Sequence, residues 1–319
     1  MNILIPGGAS YIGAMLVPWL LADGHKVTVY DTFLFGSAFL PENPNLKIIK
    51  ADVRNNIEWA RACAGQEAVI YFASISRESV CQKNPSLAHE VNVECFEPDL
   101  LTAKEIGVKR FIYASSVAVY GSSNPPTYQM SEFDPPNPTT IYGNGKFECE
   151  KILFSHDSED FSCTSVRSAS VCGYSPRQRL DLTINRMVHD ACRKSVITVE
   201  GGSQIRSHVH IQDLCDFYKV LLTKRTDLVG GQSFNVVMEN QTVRYSAEMV
   251  QKLIPCEISV KERVDDRSYS VSGFKASDML QFRPKRSLEK GVLDLKARFD
   301  GGSFKDSETN PIYQNIINV

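Results

Sequence analysis

The feature that most constrains the fold is a regular alternation of short apolar runs with longer amphipathic stretches through the first half of the chain. Apolar runs typical of buried strands occupy 2–6, 26–30, 46–50, 67–73, 109–114 and 162–167. Helical patterns lie between them at about 11–23, 56–64, 86–106 and 142–159. Because parallel strands joined through helices need right-handed crossovers, the alternation predicts an α/β fold with a doubly wound parallel sheet.

Beyond about residue 170 the alternation loosens into irregular segments with helical patterns near 212–225, 244–254 and 287–299. We therefore expect two units of unequal size. The larger one comprises 1–172 with returning segments near 205–238, and the smaller lobe comprises 173–204 and 239–319.

Composition excludes several classes of protein. The chain has 319 residues, 43% of them hydrophobic and 23% charged, with a net charge of −2. No basic stripe suits nucleic acid, and no apolar run reaches the roughly 20 residues that span a bilayer. A strand pattern directly after Met1 leaves no room for a signal peptide, so we expect a soluble cytoplasmic protein. The nine cysteines are scattered without a Cys-x-x-Cys pair, which favours free thiols.

A glycine-rich turn follows the first strand pattern and opens the first helix pattern. It reads GGASYIG over 7–13, with Ser10 where a dinucleotide-binding turn usually has its second glycine. The second strand pattern ends in Asp31, whose carboxylate suits a ribose diol and disfavours a 2′-phosphate. Asp52 follows the third strand pattern and suits an adenine. The alternatives are an ordinary tight turn and, for Asp31, a solvated strand end.

Tyr142 and Lys146 lie four residues apart on a predicted helix and so share one face. Tyrosine has an ordinary pKa near 10, so it acts as a base at neutral pH only if nearby positive charge stabilises its phenolate. We expect the Lys146 ammonium to supply that charge, and Ser116 at the end of the fifth strand pattern to hold a substrate hydroxyl. A Tyr-x-x-x-Lys pair by itself is more often a surface helix pair; the serine and the glycine-rich turn make the catalytic interpretation the better one.

These motifs together resemble the extended short-chain dehydrogenase/reductases, in particular the NAD-dependent epimerases and dehydratases that act on nucleotide sugars. The resemblance covers nearly the whole chain. The segments that carry it are GGASYIG, VYDTFLFG, FASIS, VNVE, SSVAVYG, YGNGK, VRSASVCGYSP, GGSQIRSHVHIQDL and LQFRPKRSLEKGV.

The resemblance implies that the larger unit is an NAD-binding Rossmann domain and that the smaller lobe binds substrate. It implies Tyr142 as general base, Lys146 as ribose ligand and electrostatic aid, and Ser116 as substrate ligand. The residues it assigns to NAD are Gly7, Ser10, Tyr11, Ile12, Gly13, Asp31, Asp52, Val53, Phe72, Ala73 and Lys146. Those it assigns to a nucleotide-diphosphate sugar are Ser116, Tyr142, Asn185, Arg206 and Arg267.

For Arg206 and Arg267 the alternative is a surface salt bridge, and for Asn185 a helix cap or a solvated position. His208 and His210 alternate on a strand, but the related strand carries His or Tyr and hydride transfer to NAD needs no metal, so no metal site is expected. The loop arginines Arg177 and Arg179 fit a solvated loop and a phosphate-facing lid equally well. By resemblance, helices over 86–106 and 142–159 pair two copies into a homodimer.

The favoured function is a nucleotide-sugar 4-epimerase that acts through a 4-keto sugar. The alternatives are a 4-dehydrogenase or 4-ketosugar reductase, then a dehydratase or decarboxylase, and a non-catalytic NAD-sensing protein. Val117 and Ala118 stand where related 4,6-dehydratases carry Asp-Glu, which disfavours dehydration. Ser10, Gly145 and Ser170 also depart from the family pattern, and Ser170 leaves the sugar open. The segments SPRQRLDL and DDRSYSVS resemble a subgroup that includes heptose-nucleotide 4-dehydrogenases.

Overall fold

The computed structural model describes residues 1–262 and 267–316. Its strands are β1 (Asn2–Pro6), β2 (Lys26–Asp31), β3 (Leu46–Lys50), β4 (Ala68–Tyr71), β5 (Arg110–Ser116), β6 (Gln129–Met130), β7 (Ser162–Ser168), β8 (Ser170–Cys172), β9 (Val196–Glu200), β10 (Ile205–His210), β11 (Gln232–Val236), β12 (Glu239–Thr242), β13 (Glu257–Lys261) and β14 (Ser270–Val271).

The α-helices are α1 (Gly13–Ala22), α2 (Asn56–Cys63), α3 (Glu78–Lys83), α4 (Pro85–His89), α5 (Phe96–Ile106), α6 (Ile141–Ser155), α7 (Thr183–Lys194), α8 (Ile211–Thr223), α9 (Thr226–Val229), α10 (Val243–Leu253), α11 (Phe274–Leu280) and α12 (Leu288–Asp300). A π-helical turn spans Glu90–Glu94, and 3₁₀ turns span Val117–Tyr120 and Pro311–Gln314.

Seven parallel strands form the central sheet in the order β11-β7-β5-β4-β1-β2-β3. This arrangement confirms the predicted α/β doubly wound class. The strand order reverses where β1 lies between β2 and β4. In open parallel sheets a ligand crevice forms at such a reversal, outside the carboxyl ends of the strands.

The central strands are buried on both faces, which explains their continuous apolar sequences. Ile3, Leu4 and Ile5 of β1 are fully buried, and they contribute to two different core clusters. One cluster packs α1 and α8 against the sheet; the other packs α2 and α5 against its opposite face. The sheet therefore holds the ends of its strands rigidly from both sides.

The second half builds smaller sheets and a third core. Strand β10 pairs with β8 in parallel and with β12 in antiparallel fashion, while β9 pairs with β13. Helices α7, α10 and α12 bury their apolar faces together in a separate cluster. Within the segment 205–238, β11 joins the central sheet beside β7, whereas β10 belongs to the three-stranded sheet.

The predicted helix over 86–106 is divided into α4, the π-helical turn and α5. Asn84 caps α4 by accepting the Leu87 N–H at 3.2 Å, and Pro85 occupies the first helical position. Downstream, the Cys95 N–H reaches the Glu90 carbonyl over five residues, which inserts the wider turn. Apolar periodicity alone does not distinguish such an interruption from a continuous helix.

All nine cysteines lie within the described residues, and each is a free thiol, as the sequence predicts. Among the described helices, none combines the length and the apolar character that crossing a bilayer requires.

Candidate active site

A cavity of about 540 Å³ opens at the point where the strand order reverses. It reaches from the end of β2 to the first turn of α6, and loops from the second half of the chain close its other side. Most residues predicted for the cofactor or the chemistry line it: Gly7, Ser10, Tyr11, Ile12, Asp31, Asp52, Val53, Phe72, Ala73, Ser116, Tyr142, Lys146 and Arg267.

The glycine-rich turn forms one wall of this cavity. Gly7 has φ +76°, and a Cβ there would lie 2.6 Å from the Ala73 nitrogen, so no larger residue fits. Gly13 does not line the cavity; it opens α1, where a Cβ would lie 2.3 Å from the Gly8 carbonyl oxygen. The glycine at 13 is thus required by close packing of the turn, in keeping with the third glycine of a nucleotide-binding turn.

Ser10 is accommodated by hydrogen bonds inside the turn. Its N–H donates to the Gly7 carbonyl at 3.1 Å, and its Oγ accepts the Gly13 N–H at 3.2 Å. The hydroxyl proton is left to donate into the cavity that Ser10 lines. The serine therefore replaces glycine without distorting the turn.

Asp31 lies at the end of β2, and both of its carboxylate oxygens are anchored by backbone donors. Oδ2 accepts the Ala9 N–H at 3.0 Å and Oδ1 accepts the Phe33 N–H at 2.9 Å. Burial raises the pKa of Asp31, while these two hydrogen bonds oppose that shift. The anchored oxygens keep lone pairs for the hydroxyls of a ribose.

Asp52 also lines the cavity, farther out along the sheet. Its side chain is paired with Arg54 at 2.8 Å, and this partner lowers the pKa of Asp52. The hydrogen bond from Tyr30 Oη to the Asp52 carbonyl, at 2.7 Å, fixes the backbone there. A dinucleotide fits this part of the cavity, which combines the narrow glycine cradle with the anchored carboxylate of Asp31 and the lining residues Asp52 and Val53.

The candidate catalytic groups project from α6 and β5. The α6 N-terminus is capped by Thr140, which accepts the Gly143 N–H at 3.0 Å, and by Glu78, which accepts the N–H groups of Ile141 and Tyr142 at 3.2 and 3.0 Å. These caps set the orientation of the first helical turn. Tyr142 and Lys146 then face the cavity one turn apart, with Lys146 Nζ 5.5 Å from the centre of the Tyr142 ring.

Burial and neighbouring groups act on the phenol of Tyr142 in opposite directions. Burial raises the pKa of Tyr142 to about 12, while the Arg179 guanidinium and a hydrogen bond with the Ser116 hydroxyl act in the lowering direction. Burial also lowers the pKa of Lys146 to about 8, and its ammonium donates to the Ala114 carbonyl at 2.7 Å. The charge of Arg179 therefore favours the phenolate of Tyr142, while Lys146 Nζ is hydrogen-bonded to a backbone carbonyl.

Arg179 is held in the cavity wall by a bidentate pair with Asp181, at 3.0 and 2.6 Å. It also donates to Ser76 Oγ at 3.1 Å. Burial opposes its charge, but Asp181 raises the pKa of Arg179 above its ordinary value. Arg179 thus carries a permanent charge beside Tyr142, and the solvated-loop interpretation of this arginine is wrong.

Two of the predicted substrate ligands do not line the cavity. Asn185 is fully buried; its Oδ1 accepts the Gly173 N–H at 3.0 Å, and its Nδ2 donates to Tyr11 Oη at 3.1 Å and to the Arg179 carbonyl at 2.8 Å. It therefore joins α7 to the nucleotide turn and to the Arg179 loop. Tyr11, in turn, donates to the Gly173 carbonyl at 2.6 Å.

Arg206 does not line the cavity. Its guanidinium donates to the carbonyls of Arg267 and Ile205 and covers the Tyr269 ring at 5.3 Å. Arg267 and Tyr269 themselves line the cavity. The structure thus brings Arg267 to the site, and Arg206 contacts the backbone that presents Arg267.

Several lining residues were not singled out as site residues by sequence reasoning. They are Ser76, Glu78, Arg177, Arg179, Tyr269 and Asn315 among others. Glu78 and Asn315 carry no local signal, since each reaches the cavity through tertiary contacts with segments far away in the chain. Arg177 and Arg179 lie in a segment whose charge pattern is typical both of a solvated loop and of a lid over a phosphate.

His208 and His210 lie on β10. Over the described ranges, no three His, Cys, Asp or Glu residues come together as a metal site. Both rings are buried, and burial lowers the pKa of His208 to about 4.

The chain matches one family model over residues 3–236, that of the NAD dependent epimerase/dehydratase family. The chain belongs to this family. Membership makes NAD the cofactor, in agreement with the cradle of Gly7 and the anchored carboxylate of Asp31.

A curated relative is the UDP-glucose 4-epimerase of Corynebacterium glutamicum, which is 25% identical over 320 residues, covering 92% of this chain and 94% of the relative. Two solved structures share the fold. A UDP-glucose 4-epimerase from Thermotoga maritima with UDP-glucose has a TM-score of 0.85 at 23% identity, covering 95% of this chain and 99% of its own. A dTDP-glucose 4,6-dehydratase from Streptomyces venezuelae with NAD bound has a TM-score of 0.86 at 23% identity, covering 98% of this chain and 100% of its own.

Proposed function

We propose that this protein is a nucleotide-sugar 4-epimerase in which Tyr142 exchanges a proton with the C4 hydroxyl of the sugar. The observation that carries the proposal is that Tyr142, Ser116 and Lys146 face one cavity that also contains the dinucleotide cradle. Curated relatives over nearly the whole chain are named as UDP-glucose 4-epimerases, which supports the same reaction. When bound, NAD would accept the hydride from C4, which leaves a ketone there, and would then return the hydride to C4.

The residues of the chain have separate tasks in this proposal. Tyr142 takes and returns the hydroxyl proton, and Ser116 holds the reacting oxygen against the phenol by a hydrogen bond. Lys146, presented on the same face of α6, binds a ribose hydroxyl of the dinucleotide. The other half of the dinucleotide is held by Gly7, Ser10 and Asp31. We assign NAD to the larger unit (1–172) and the sugar nucleotide mainly to the smaller lobe, with Arg267 at its phosphates.

Dehydration would need a further acid beside the sugar. Among the described residues that line the cavity, the carboxylates are those of Asp31, Asp52 and Glu78. The first two belong to the dinucleotide end, and Glu78 uses both oxygens to cap α6. Val117 and Ala118, which line the cavity next to Ser116, carry no acid. This distribution favours chemistry confined to C4.

The test is product analysis with UDP-, GDP-, dTDP- and CDP-hexoses. We expect the NAD-loaded enzyme to convert at least one of them to its C4 epimer, identified by NMR, with no accumulation of NADH at 340 nm. Net NADH formation with release of a ketosugar would instead identify the 4-dehydrogenase, the alternative left open by the sequence.

The variants Tyr142→Phe and Tyr245→Phe form a matched pair, since Tyr245 is exposed on α10. We expect Tyr142→Phe to lower kcat by at least about 10²-fold, the usual size of a general acid–base contribution. Tyr245→Phe should leave kcat unchanged. Full activity of Tyr142→Phe would remove this phenol from the mechanism.

The predicted homodimer and the cytoplasmic location stay predictions. Light scattering of the purified protein would establish whether the molar mass is one or two times 35.6 kDa.

A further inference from the structure

Arg177 is a buried cation whose hydrogen-bonding capacity is largely unused. It is 2% exposed and lines the cavity. Its Nη2 donates to Asn315 Oδ1 at 2.7 Å, but Nε and Nη1 have no partner among the described residues. Buried polar groups are almost always satisfied, and a buried charge without an anion is costly. We therefore expect the Nε and Nη1 donors of this guanidinium to bind a ligand.

The position of Arg177 is set by contacts with the nucleotide turn. Two residues earlier, Ser175 Oγ donates to the Tyr11 carbonyl at 2.7 Å, and the Ser175 N–H donates to Gln178 Oε1 at 2.9 Å. The guanidinium lies over the ring of Phe35, 4.1 Å from its centre, in the loop that follows β2. Arg177 thus lies between the glycine-rich turn and the end of the strand that carries Asp31.

Within 1–262 and 267–316, no carboxylate pairs directly with this cation. Asp31 is near enough to favour the charged guanidinium, but both of its oxygens accept backbone N–H groups and neither bonds to Arg177. Burial lowers the pKa of Arg177 to about 10, so the side chain is still protonated at neutral pH. An anion bound between the turn and Asp31 would balance it. In a dinucleotide, the anion between the two nucleosides is the pyrophosphate.

We propose that Arg177 binds the pyrophosphate of NAD through Nε and Nη1, and that Asn315 is the positioning residue that orients its guanidinium. A fork of two N–H donors matches the geometry of a phosphate. This role of Arg177 concerns the cofactor alone and does not depend on which sugar reaction follows.

The segment that carries Asn315 is attached to the cavity rim at several points. The Tyr313 carbonyl accepts the Leu180 N–H at 2.8 Å, and the Gln314 carbonyl accepts a hydrogen bond from Arg77. Asn315 Nδ2 donates to Ser76 Oγ at 3.4 Å. The turn Pro311–Gln314 and Asn315 are thus held by hydrogen bonds to Leu180, Arg77, Ser76 and Arg177.

The test is titration calorimetry of the NAD-free protein with NAD, ADP and adenosine. For Arg177→Gln we expect the Kd of NAD and of ADP to rise by about 10- to 100-fold, the effect of a charge-assisted hydrogen bond. The Kd of adenosine, which has no phosphate, should stay within about twofold. Arg177→Lys keeps the charge but not the fork of two N–H donors. It should therefore raise the Kd of NAD and ADP by a smaller factor and leave that of adenosine unchanged.

Arg298→Gln is the matched control, because Arg298 also stacks on an aromatic ring, that of Tyr174 at 4.0 Å, but is exposed and does not line the cavity. Melting of each ligand-free variant shows whether it is folded. If folded Arg177→Gln and Arg177→Lys bind NAD and ADP as the parent does, the proposal fails. An equal loss for adenosine would also overturn it, since adenosine has no phosphate for the guanidinium to bind.

Asn315→Ala tests the positioning role by a double-mutant cycle. We expect it to raise the Kd of ADP by about three- to tenfold in the parent, the effect of losing one hydrogen bond that orients the guanidinium, and to have no effect in the Arg177→Gln background. Equal effects in both backgrounds would show that Asn315 acts only by structure and would remove it from the proposal.

Discussion

At the scale of single residues, Tyr142 shows how burial and a neighbouring charge oppose each other. Burial raises the pKa of the phenol to about 12, and the charge of Arg179 lowers it. The Arg179–Asp181 pair holds this charge in place. The proton affinity of the proposed base is thus set partly by a loop in the second half of the chain.

We expect Arg179→Gln to displace the rising limb of the pH profile of kcat toward higher pH by about one unit or more. A base must lose its proton to act, and removal of a nearby cation raises the pKa of a phenol. The measurement is kcat from pH 6 to 10, with Arg225→Gln as an exposed control outside the cavity. An unshifted limb would mean that Arg179 does not act on the base.

Asp99 is a buried carboxyl away from the site. Its Oδ2 accepts the Tyr71 hydroxyl at 2.7 Å, while Oδ1 has no partner within the described part of the chain. Burial raises the pKa of Asp99 from 3.8 to about 8. The folded state therefore holds a proton between about pH 4 and pH 8 that the unfolded state releases, so this carboxyl makes stability fall as pH rises across that range.

Asp99→Asn should abolish this component of the pH dependence. We expect little change in the free energy of unfolding at pH 4.5 and a gain of a few kcal/mol at pH 8.5, because the amide cannot ionise. Urea denaturation at the two pH values measures both. A variant that loses as much stability at pH 8.5 as at pH 4.5 would contradict the assignment.

At the scale of elements, α6 carries the proposed chemistry and is fixed to the sheet by a buried ion pair. Glu150 of α6 binds Arg167 of β7 through contacts of 2.7 to 3.2 Å, and Arg167 also donates to Tyr120 Oη at 2.8 Å. Ser165 adds a hydrogen bond of 2.7 Å to Glu150. These bonds set the distance between α6 and the end of the sheet.

Glu150→Ala should lower the free energy of unfolding by about 3–5 kcal/mol, because it leaves the Arg167 charge buried without its anion. Glu148→Ala, at an exposed position on the same helix, should cost no more than about 0.5 kcal/mol. Urea titration compares the two. Similar losses for both variants would show that helix propensity, and not the ion pair, determines the effect.

At the scale of the whole molecule, both halves of the chain enclose the cofactor cavity. The first half supplies the turn, Asp31 and α6; the second supplies Arg177, Arg179, Arg267 and Asn315. A ligand that bridges the halves stabilises the entire fold by mass action. Ligand-dependent melting therefore reports on the assembled cavity.

We expect NAD at 100 times its Kd to add about 2.7 kcal/mol to the free energy of unfolding. NADP at the same concentration should add much less, since its 2′-phosphate would meet the Asp31 carboxylate. Asp31→Asn should reduce the difference in melting temperature between the protein with NAD and the protein with NADP. Asp160→Asn, at an exposed position, should leave that difference unchanged. Equal protection by both dinucleotides in the parent protein would contradict the role of Asp31.

The sequence alone determined the class of fold, the glycine cradle and the helix face shared by Tyr142 and Lys146. Each of these depends on local rules: strand and helix periodicity, the space that a Cβ needs at Gly7, and the turn of an α-helix. The confirmed parallel sheet also explains why Asp31 and Ser116 lie at one edge, since both end parallel strands.

Only the tertiary structure decided which charges reach the cavity. Asn185 was expected at the substrate and instead joins Tyr11 to Gly173, whereas Arg179 was ambiguous and lies beside Tyr142. In a loop, no helical or strand periodicity sets the direction in which a side chain points. A charged side chain there can be hydrated or can bind a buried partner equally well. Its position follows from contacts between segments more than one hundred residues apart, such as that of Arg177 with Asn315, and no local pattern records these.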